Sequence, residues 1–318
     1  MQSENTRSKL TIYAPASMGN VGVGFDLLGA ALAPIDGQLL GDTVTIDASE
    51  QPIQYSQSGP WAHKLPDNDA ENIVYQCAEF FLEKQQISQG VSLHLQKNLP
   101  VGSGLGSSAS SVVAALYALN AYFDSPYDQQ ALLQLMGEFE GKISGSVHYD
   151  NVAPSYLGGM QLMLDTPQVT CQGIPHFKEW YWVVAYPGIS LSTAKMRQLL
   201  PEQYPKSIAI DFGRRLSAFV HASYSQQADM ALHVLQDVIA EPYRAKAIPG
   251  FEAARATLTE LGMKTTGISG SGPTLFSVTD SLIKAQAAQA WLEQHYVTEQ
   301  GGFSHICHID IQGTRVID

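Results

Sequence analysis

Leu99-Pro100-Val101-Gly102-Ser103-Gly104-Leu105-Gly106-Ser107-Ser108-Ala109 is the stretch from which the rest of the chain can be read. Before it, Val91, Leu93 and Leu95 alternate with Ser92, His94 and Gln96, the period of a half-buried strand. After it, a helix opens at Ser107 or Ser108, both good cap residues, and runs on past Ser110 through Ala114, Ala115, Leu116 and Leu119 towards Phe123. Three glycines in five residues let the backbone turn sharply and let a ligand come close to it. The N–H groups of the helix start, with roughly half a positive charge from the macrodipole, then face whatever lies in the loop. The expected ligand is an anion, and phosphate is the usual one.

No Lys follows the last glycine, so this is not a Walker A loop. The dinucleotide fingerprint fails too: Gly102 and Gly104 fit, but the third position is Ser107, and Pro100 separates loop from strand. Taken alone, the stretch also reads as an ordinary Gly/Ser turn before a helix. Its company argues otherwise, because two further glycine-rich stretches lie far away in the chain.

Pro100 to Ala109 resembles the nucleotide-binding motif of the galactokinase–homoserine kinase–mevalonate kinase–phosphomevalonate kinase superfamily. The superfamily's other two motifs are resembled by Ala14-Pro15-Ala16-Ser17-Met18-Gly19-Asn20-Val21-Gly22-Val23-Gly24-Phe25-Asp26 and by Gly267-Ile268-Ser269-Gly270-Ser271-Gly272-Pro273, in the right order. His148-Tyr149-Asp150-Asn151-Val152-Ala153-Pro154 and Glu241-Pro242-Tyr243-Arg244 make the chain most similar to the homoserine kinase branch, from about Lys9 onward. The resemblance implies an α+β, two-domain small-molecule kinase fold, with a ribosomal-S5-domain-2-like N-terminal domain and a ferredoxin-like C-terminal domain. It implies ATP and Mg²⁺ as cofactors and L-homoserine as acceptor, with another small alcohol as the alternative. A homodimer is a further expectation, since the family is often dimeric.

Composition is compatible with this. The chain has 318 residues, enough for two ordinary domains. Its net charge of -12, with 18 Lys and Arg, argues against nucleic acid or an anionic membrane as partner. ATP is not excluded, because backbone N–H groups and a metal ion can hold it. Cys77, Cys171 and Cys307 form neither a zinc pattern nor a disulfide framework. Met1 to Lys9 is polar, with no apolar signal-peptide core, and no apolar run reaches the roughly 20 residues of a membrane span. A cytoplasmic location is the expectation.

The remaining candidates come from reading outward. Asn20 reads as a turn residue bonding its own backbone, and Asp26 reads equally as that or as a site carboxylate; the resemblance moves both into the acceptor site. Asn72 is a plausible cap for a helix to Glu83, and by resemblance a weaker nucleotide contact. In the helix Gln129 to Ile143, Leu132, Leu133, Leu135, Met136 and Phe139 form the apolar stripe. Glu140 continues that buried row, whereas Glu138 should face water. An inward carboxylate is costly unless paired or on a metal. The other reading is that the helix frays at Gly141. By resemblance, Ser108 and Glu140 are the magnesium ligands. His148 gains a catalytic role only through its motif. Asp150 and Asn151 leave two readings open: Asp150 as base for the acceptor hydroxyl, or Asn151 as the group that positions it, a loose phosphoryl transition state placing little demand on a base. Arg197 and Arg244 read together as a clamp for the acceptor's carboxylate, guanidinium being its planar bidentate partner. Asp26, helped by Asn20, would take the ammonium.

The domain boundary is expected between Leu164 and Trp180, where Pro167, Gly173 and Pro175 break any pattern. That divides the chain into 1–170, which binds nucleotide, and 171–318, which contributes to the acceptor site. In the second part, helices are expected over Phe212 to Tyr224, Asp229 to Ile239, Gly250 to Leu261 and Ser281 to His295. Strands are expected over Tyr181 to Tyr186, Thr265 to Ser269, Leu275 to Thr279 and Phe303 to Ile311.

Overall fold

A computed structural model describes residues 9–145, 147–164, 166 and 168–317. Pro167 of the expected boundary lies outside them. The chain begins with β1 (Leu10–Pro15), β2 (Ser17–Gly19), β3 (Leu28–Pro34), β4 (Gly41–Ser49), β5 (Ile53–Ser58), α1 (Ile73–Lys84), β6 (Gly90–Gln96), α2 (Ser107–Tyr122), α3 (Gln129–Ser144) and α4 (Val152–Leu157). It continues with β7 (Met160–Met163), β8 (Cys171–Ile174), β9 (Tyr181–Tyr186), α5 (Thr193–Gln198), α6 (Lys206–Ser225), α7 (Ala228–Val234), α8 (Glu241–Arg244), α9 (Phe251–Glu260), β10 (Thr265–Ile268), β11 (Leu275–Thr279), α10 (Leu282–His295), β12 (Phe303–Ile309) and β13 (Arg315–Val316). No helix among the described residues is long and apolar enough to cross a membrane.

One sheet runs β13-β1-β4-β6-β5, antiparallel except for the parallel pair β5–β6. Against it, α1, α2 and α3 bury Phe81, Val112, Leu116, Met136 and Phe139 on Ile12, Val44, Ile46 and Leu93. Nearly all of α2 is buried, as an apolar helix between a sheet and two other helices must be. The second sheet runs β10-β11-β9-β12-β3-β7-β8, with β2 beside β3. Its strands come from both halves of the chain, so hydrogen bonding continues across residue 170.

Two helix ends depart from the sequence pattern. α6 starts at Lys206, behind Pro205 and ahead of the first strongly periodic residues. α7 stops at Val234, short of the expected Ile239. There the Asp237 carboxylate accepts the N–H groups of Ile239 (2.7 Å), Ala240 (2.8 Å) and Glu241 (3.0 Å), so a local side-chain turn replaces the helix ladder. The strands β2, β3, β5, β7, β8 and β13 were not legible. β3 is buried on both faces, so Leu28-Gly29-Ala30-Ala31-Leu32-Ala33-Pro34 shows no alternation.

Candidate active site

The sequence motifs converge on one cleft of about 850 Å³. The glycine loop joins β6 to α2, and Gly102, Gly104 and Gly106 sit at φ of 69°, 82° and 62°. The third glycine-rich stretch, which turns β10 into β11, wedges against it. Ser269 Oγ donates to Gly104 O (2.6 Å), and a Cβ on Gly104 would strike the carbonyl oxygens of Ser269 and Gly272. That stretch is thus both a turn between two strands and, at Gly270 and Ser271, part of the cleft wall. α2 does begin at Ser107, but neither serine caps it: the cap is Gly106, with no side-chain acceptor. Ser107 Oγ donates instead to Leu99 O (3.1 Å), and Ser108 Oγ to Glu140 Oε1 (2.7 Å). The helix start is thus left facing the cleft for an anion.

Val101, Gly102, Ser103, Gly104, Gly106, Ser107 and Ser108 line the cleft. Pro100, Leu105, Ala109 and Ser110 do not: they are buried in the scaffold beneath it. Ser110 Oγ, for instance, donates to Ala14 O (2.8 Å) and accepts from Asp42 N (2.9 Å). At one end Leu65, Pro66, Ile73, Leu95 and Ile143 give the cleft apolar walls suited to a nucleobase. Asn72 lies there as the cap of α1, its Oδ1 accepting from Val74 N (2.9 Å) and its Nδ2 donating to Gln57 (3.3 Å).

Glu140 is on the inward face as its row required, and α3 continues past Gly141 to Ser144 before a left-handed Gly145 ends it. Glu138 is exposed. Burial pushes the Glu140 carboxyl up to about 7, while the Ser108 hydrogen bond pulls it down. Among the described residues no three or more His, Cys, Asp or Glu side chains form a metal cluster. Ser108 and Glu140 instead present hard oxygens side by side at the anion cradle. That fits a cation such as Mg²⁺, which takes one or two protein oxygens and fills its shell from phosphate and water.

Elsewhere the cleft is built from charged side chains. Asp26, at φ 58°, pairs with Arg197 in bidentate fashion: Nη2 to Oδ1 at 2.8 Å and Nη1 to Oδ2 at 3.1 Å. Their side chains are 28% and 36% exposed. The Phe25 ring stacks near both guanidinium groups, 5.6 Å from Arg197 Cζ and 5.4 Å from Arg244 Cζ. Arg244 is buried and donates to Gly270 O (3.0 Å). Asn20 lines the cleft, but both ends of its amide hold scaffold: Nδ2 donates to Gly270 O (3.0 Å) and Oδ1 accepts Asp26 N (2.9 Å). Asn20 thus holds the backbone at Asp26 from within the cleft wall. His148 Nδ1 lies 3.8 Å from Asp26, and burial holds its imidazole below the usual range.

Asp150 and Asn151 are adjacent at the start of α4, and both line the cleft. A Cβ on Gly19 would strike the Asp150 carboxylate and approach Asn151 Nδ2 at 2.7 Å, so both side chains lie over the first glycine stretch. Asn151 Oδ1 accepts from Ser17 Oγ (3.1 Å) and sits beside Gly106. Burial, then the nearby Asp26 charge, pushes the Asp150 carboxyl up to about 7. Sequence reading did not single out Phe25 and Ser17, which touch side chains of the cleft, or the Ser190–Lys195 segment of its wall. Phe25 had a signal, its place between a glycine turn and Asp26; Ser17 had none, because its partner is 134 residues away.

Comparison with known proteins agrees with this geometry. Residues 72–159 match the GHMP kinases N terminal domain, and residues 217–298 match GHMP kinases C terminal. A homoserine kinase from Cytophaga hutchinsonii is 30% identical, with a TM-score of 0.89, over 100% of this chain and 99% of that one. At fold level, L. major mevalonate kinase in complex with R-mevalonate is 16% identical, with a TM-score of 0.69, over 96% and 97% of the two chains. A 4-(cytidine 5'-diphospho)-2C-methyl-D-erythritol kinase is 19% identical, with a TM-score of 0.62, over 94% and 99%. With its three glycine stretches folded into one cleft and its full length matched, the chain belongs to the GHMP kinase family, the two-domain small-molecule phosphotransferases that use ATP.

Proposed function

We propose that this kinase transfers the γ-phosphate of ATP to the side-chain hydroxyl of L-homoserine, giving O-phospho-L-homoserine and ADP on the route to threonine. The observation that carries the reading is the acceptor end: a carboxylate, Asp26, and two guanidinium groups, Arg197 and Arg244, around one aromatic ring. A zwitterionic amino acid can satisfy all of them, its carboxylate going to the arginines and its ammonium to Asp26. It would replace the Asp26–Arg197 pair one charge for another, leaving no charge unpaired. Mevalonate carries a carboxylate but no ammonium and offers no cation to Asp26; a neutral sugar would pair with neither group.

In this reading residues 1–170 supply the nucleotide half and residues 171–318 bring Arg197 and Arg244 to the acceptor. The loop from Val101 to Ser108 holds the phosphates by backbone N–H groups. Ser108 and Glu140 hold Mg²⁺, which neutralises charge on the transferring phosphoryl group when bound. Asn151, at the rim of the loop, positions the acceptor hydroxyl. A cytoplasmic location goes with that reading.

The test is ADP release by the purified chain with Mg·ATP, with and without L-homoserine, beside a panel of mevalonate and sugars. Release that depends on homoserine supports the assignment; release with another alcohol alone overturns it. Asp150→Asn and Asn151→Ala then separate base from positioner. If Asn151 positions the hydroxyl, Asp150→Asn keeps kcat within about tenfold, the low end of general-base contributions being about 100-fold.

A further inference from the structure

Beneath the cradle lies a buried ion pair that the chemistry above does not use. Asp42, on β4, is 0% exposed, and Lys97, at the end of β6, is 1% exposed. One carboxylate oxygen of Asp42 accepts the N–H groups of Asn98 (2.8 Å) and Leu99 (2.9 Å), the residues by which the chain enters the glycine loop. The other accepts from Lys97 Nζ and from Ser111 Oγ (2.6 Å). Lys97 Nζ also donates to Ser107 O (2.7 Å), at the first residue of α2, and to Ser111 Oγ (2.9 Å), one turn further on, where the chain leaves the loop.

We propose that Asp42, Lys97 and Ser111 are positioning residues that hold the entrance and exit of the phosphate cradle at one separation, and so set its affinity for nucleoside triphosphate. The inference rests on the nucleotide reading of the loop. A lysine ammonium has three donors, and Asp42, Ser107 and Ser111 take all of them. Although Lys97 lies along the cleft, in this arrangement it is a tie rather than a phosphate ligand. The tie has work to do, because a loop with three glycines at positive φ is loose by composition. Its N–H groups bind an anion well only if they are already in place, since ordering them on binding subtracts from affinity. A buried ion pair is a weak device for stability alone, because a well-packed apolar pair often does as well. Here both members, and the serine between them, also bond to the backbone on either side of the loop.

Two variants test this, each by titration of Mg·ATP, by KM for ATP and for the acceptor, and by thermal melting. Ser111→Ala removes the hydroxyl between the two charges without leaving either alone. It should weaken Mg·ATP binding about tenfold, the scale of one hydrogen bond to a charged group. Asp42→Asn with Lys97→Met removes the ion pair as a unit. It should weaken binding about 100-fold, as misplacement of a binding group can. In both, the acceptor KM should stay within about twofold, a split that a merely structural loss would not produce. Nucleotide affinity within twofold of the unaltered protein in either folded variant overturns the proposal. So does a parallel loss of both affinities and of melting temperature. If the double variant does not fold, Ser111→Ala decides alone. The unaltered protein failing to bind Mg·ATP would overturn the nucleotide reading itself, and is read from the first titration.

Discussion

The two ends of the cleft are made of different material. The phosphate end is backbone: a glycine loop, a helix start and the β10–β11 turn pressed against it, with side chains turned away into ties. The acceptor end is side chain: Asp26, Arg197, Arg244 and His148, with the first two compensating each other and partly exposed. Shape recognises at the first end and charge at the second. A backbone site reads a group common to every member of a family, whereas a charged site can be rebuilt for another acceptor by changing a few side chains. The contrast fits a family whose solved members act on different small molecules over one fold.

The largest effect is expected where shape rules. Gly104→Ala places a Cβ at φ 82° against two carbonyl oxygens of the β10–β11 turn. Such strain costs about 1–3 kcal/mol before the clash is counted, so kcat/KM for ATP should fall about 100-fold or more in steady-state assays. A mild effect would break the comparison, since the cradle would then not be shape-limited. Next, Glu140→Gln should lower turnover about 100-fold at millimolar magnesium, the scale of losing one electrostatic contact made to the transferring group. Near-full turnover would remove Glu140 from the cation site. Smaller again, Arg197→Ala should raise the homoserine KM about 30-fold, because the pair it leaves is partly solvated. The KM for ATP should stay within about twofold, and equal changes in both would erase the division between the two ends.

The smallest effect concerns pH. Asp150 has a folded-state value raised to about 7 by burial, so its ionisation weighs against the folded chain. The stability of its neutral form is fully present below about pH 4 and is lost as pH rises through 7. Asp150→Asn should therefore melt about 3 °C higher than the unaltered protein at pH 8 and equally at pH 4. A melting difference independent of pH would mean that the effect is packing rather than charge.

Local pattern was enough wherever an element is amphipathic or a motif is contiguous. The strand before the cradle and α3 follow from periodicity, and the inward place of Glu140 follows from the row of Leu132 and Met136. It was not enough where partners are distant. The pairing of Asp26 with Arg197 spans 171 residues, and nothing in either segment announces the other. Nor does anything near Asn20 announce Gly270, 250 residues on, whose carbonyl its amide holds.

By itself the sequence determined the existence of a glycine loop, its strand and its helix, because glycine content and apolar pattern act over a few residues. It also determined which types of side chain the site could draw upon. Only the tertiary structure decided that three separated glycine stretches share one cleft, and that the cap of α2 is Gly106 while Ser107 reaches back to Leu99 and Ser108 to Glu140. It also decided that Lys97 is spent on Asp42, Ser107 and Ser111. The physical reason is that a buried polar group must find a partner, and which partner is available is set by packing between distant segments, not by neighbours in the chain.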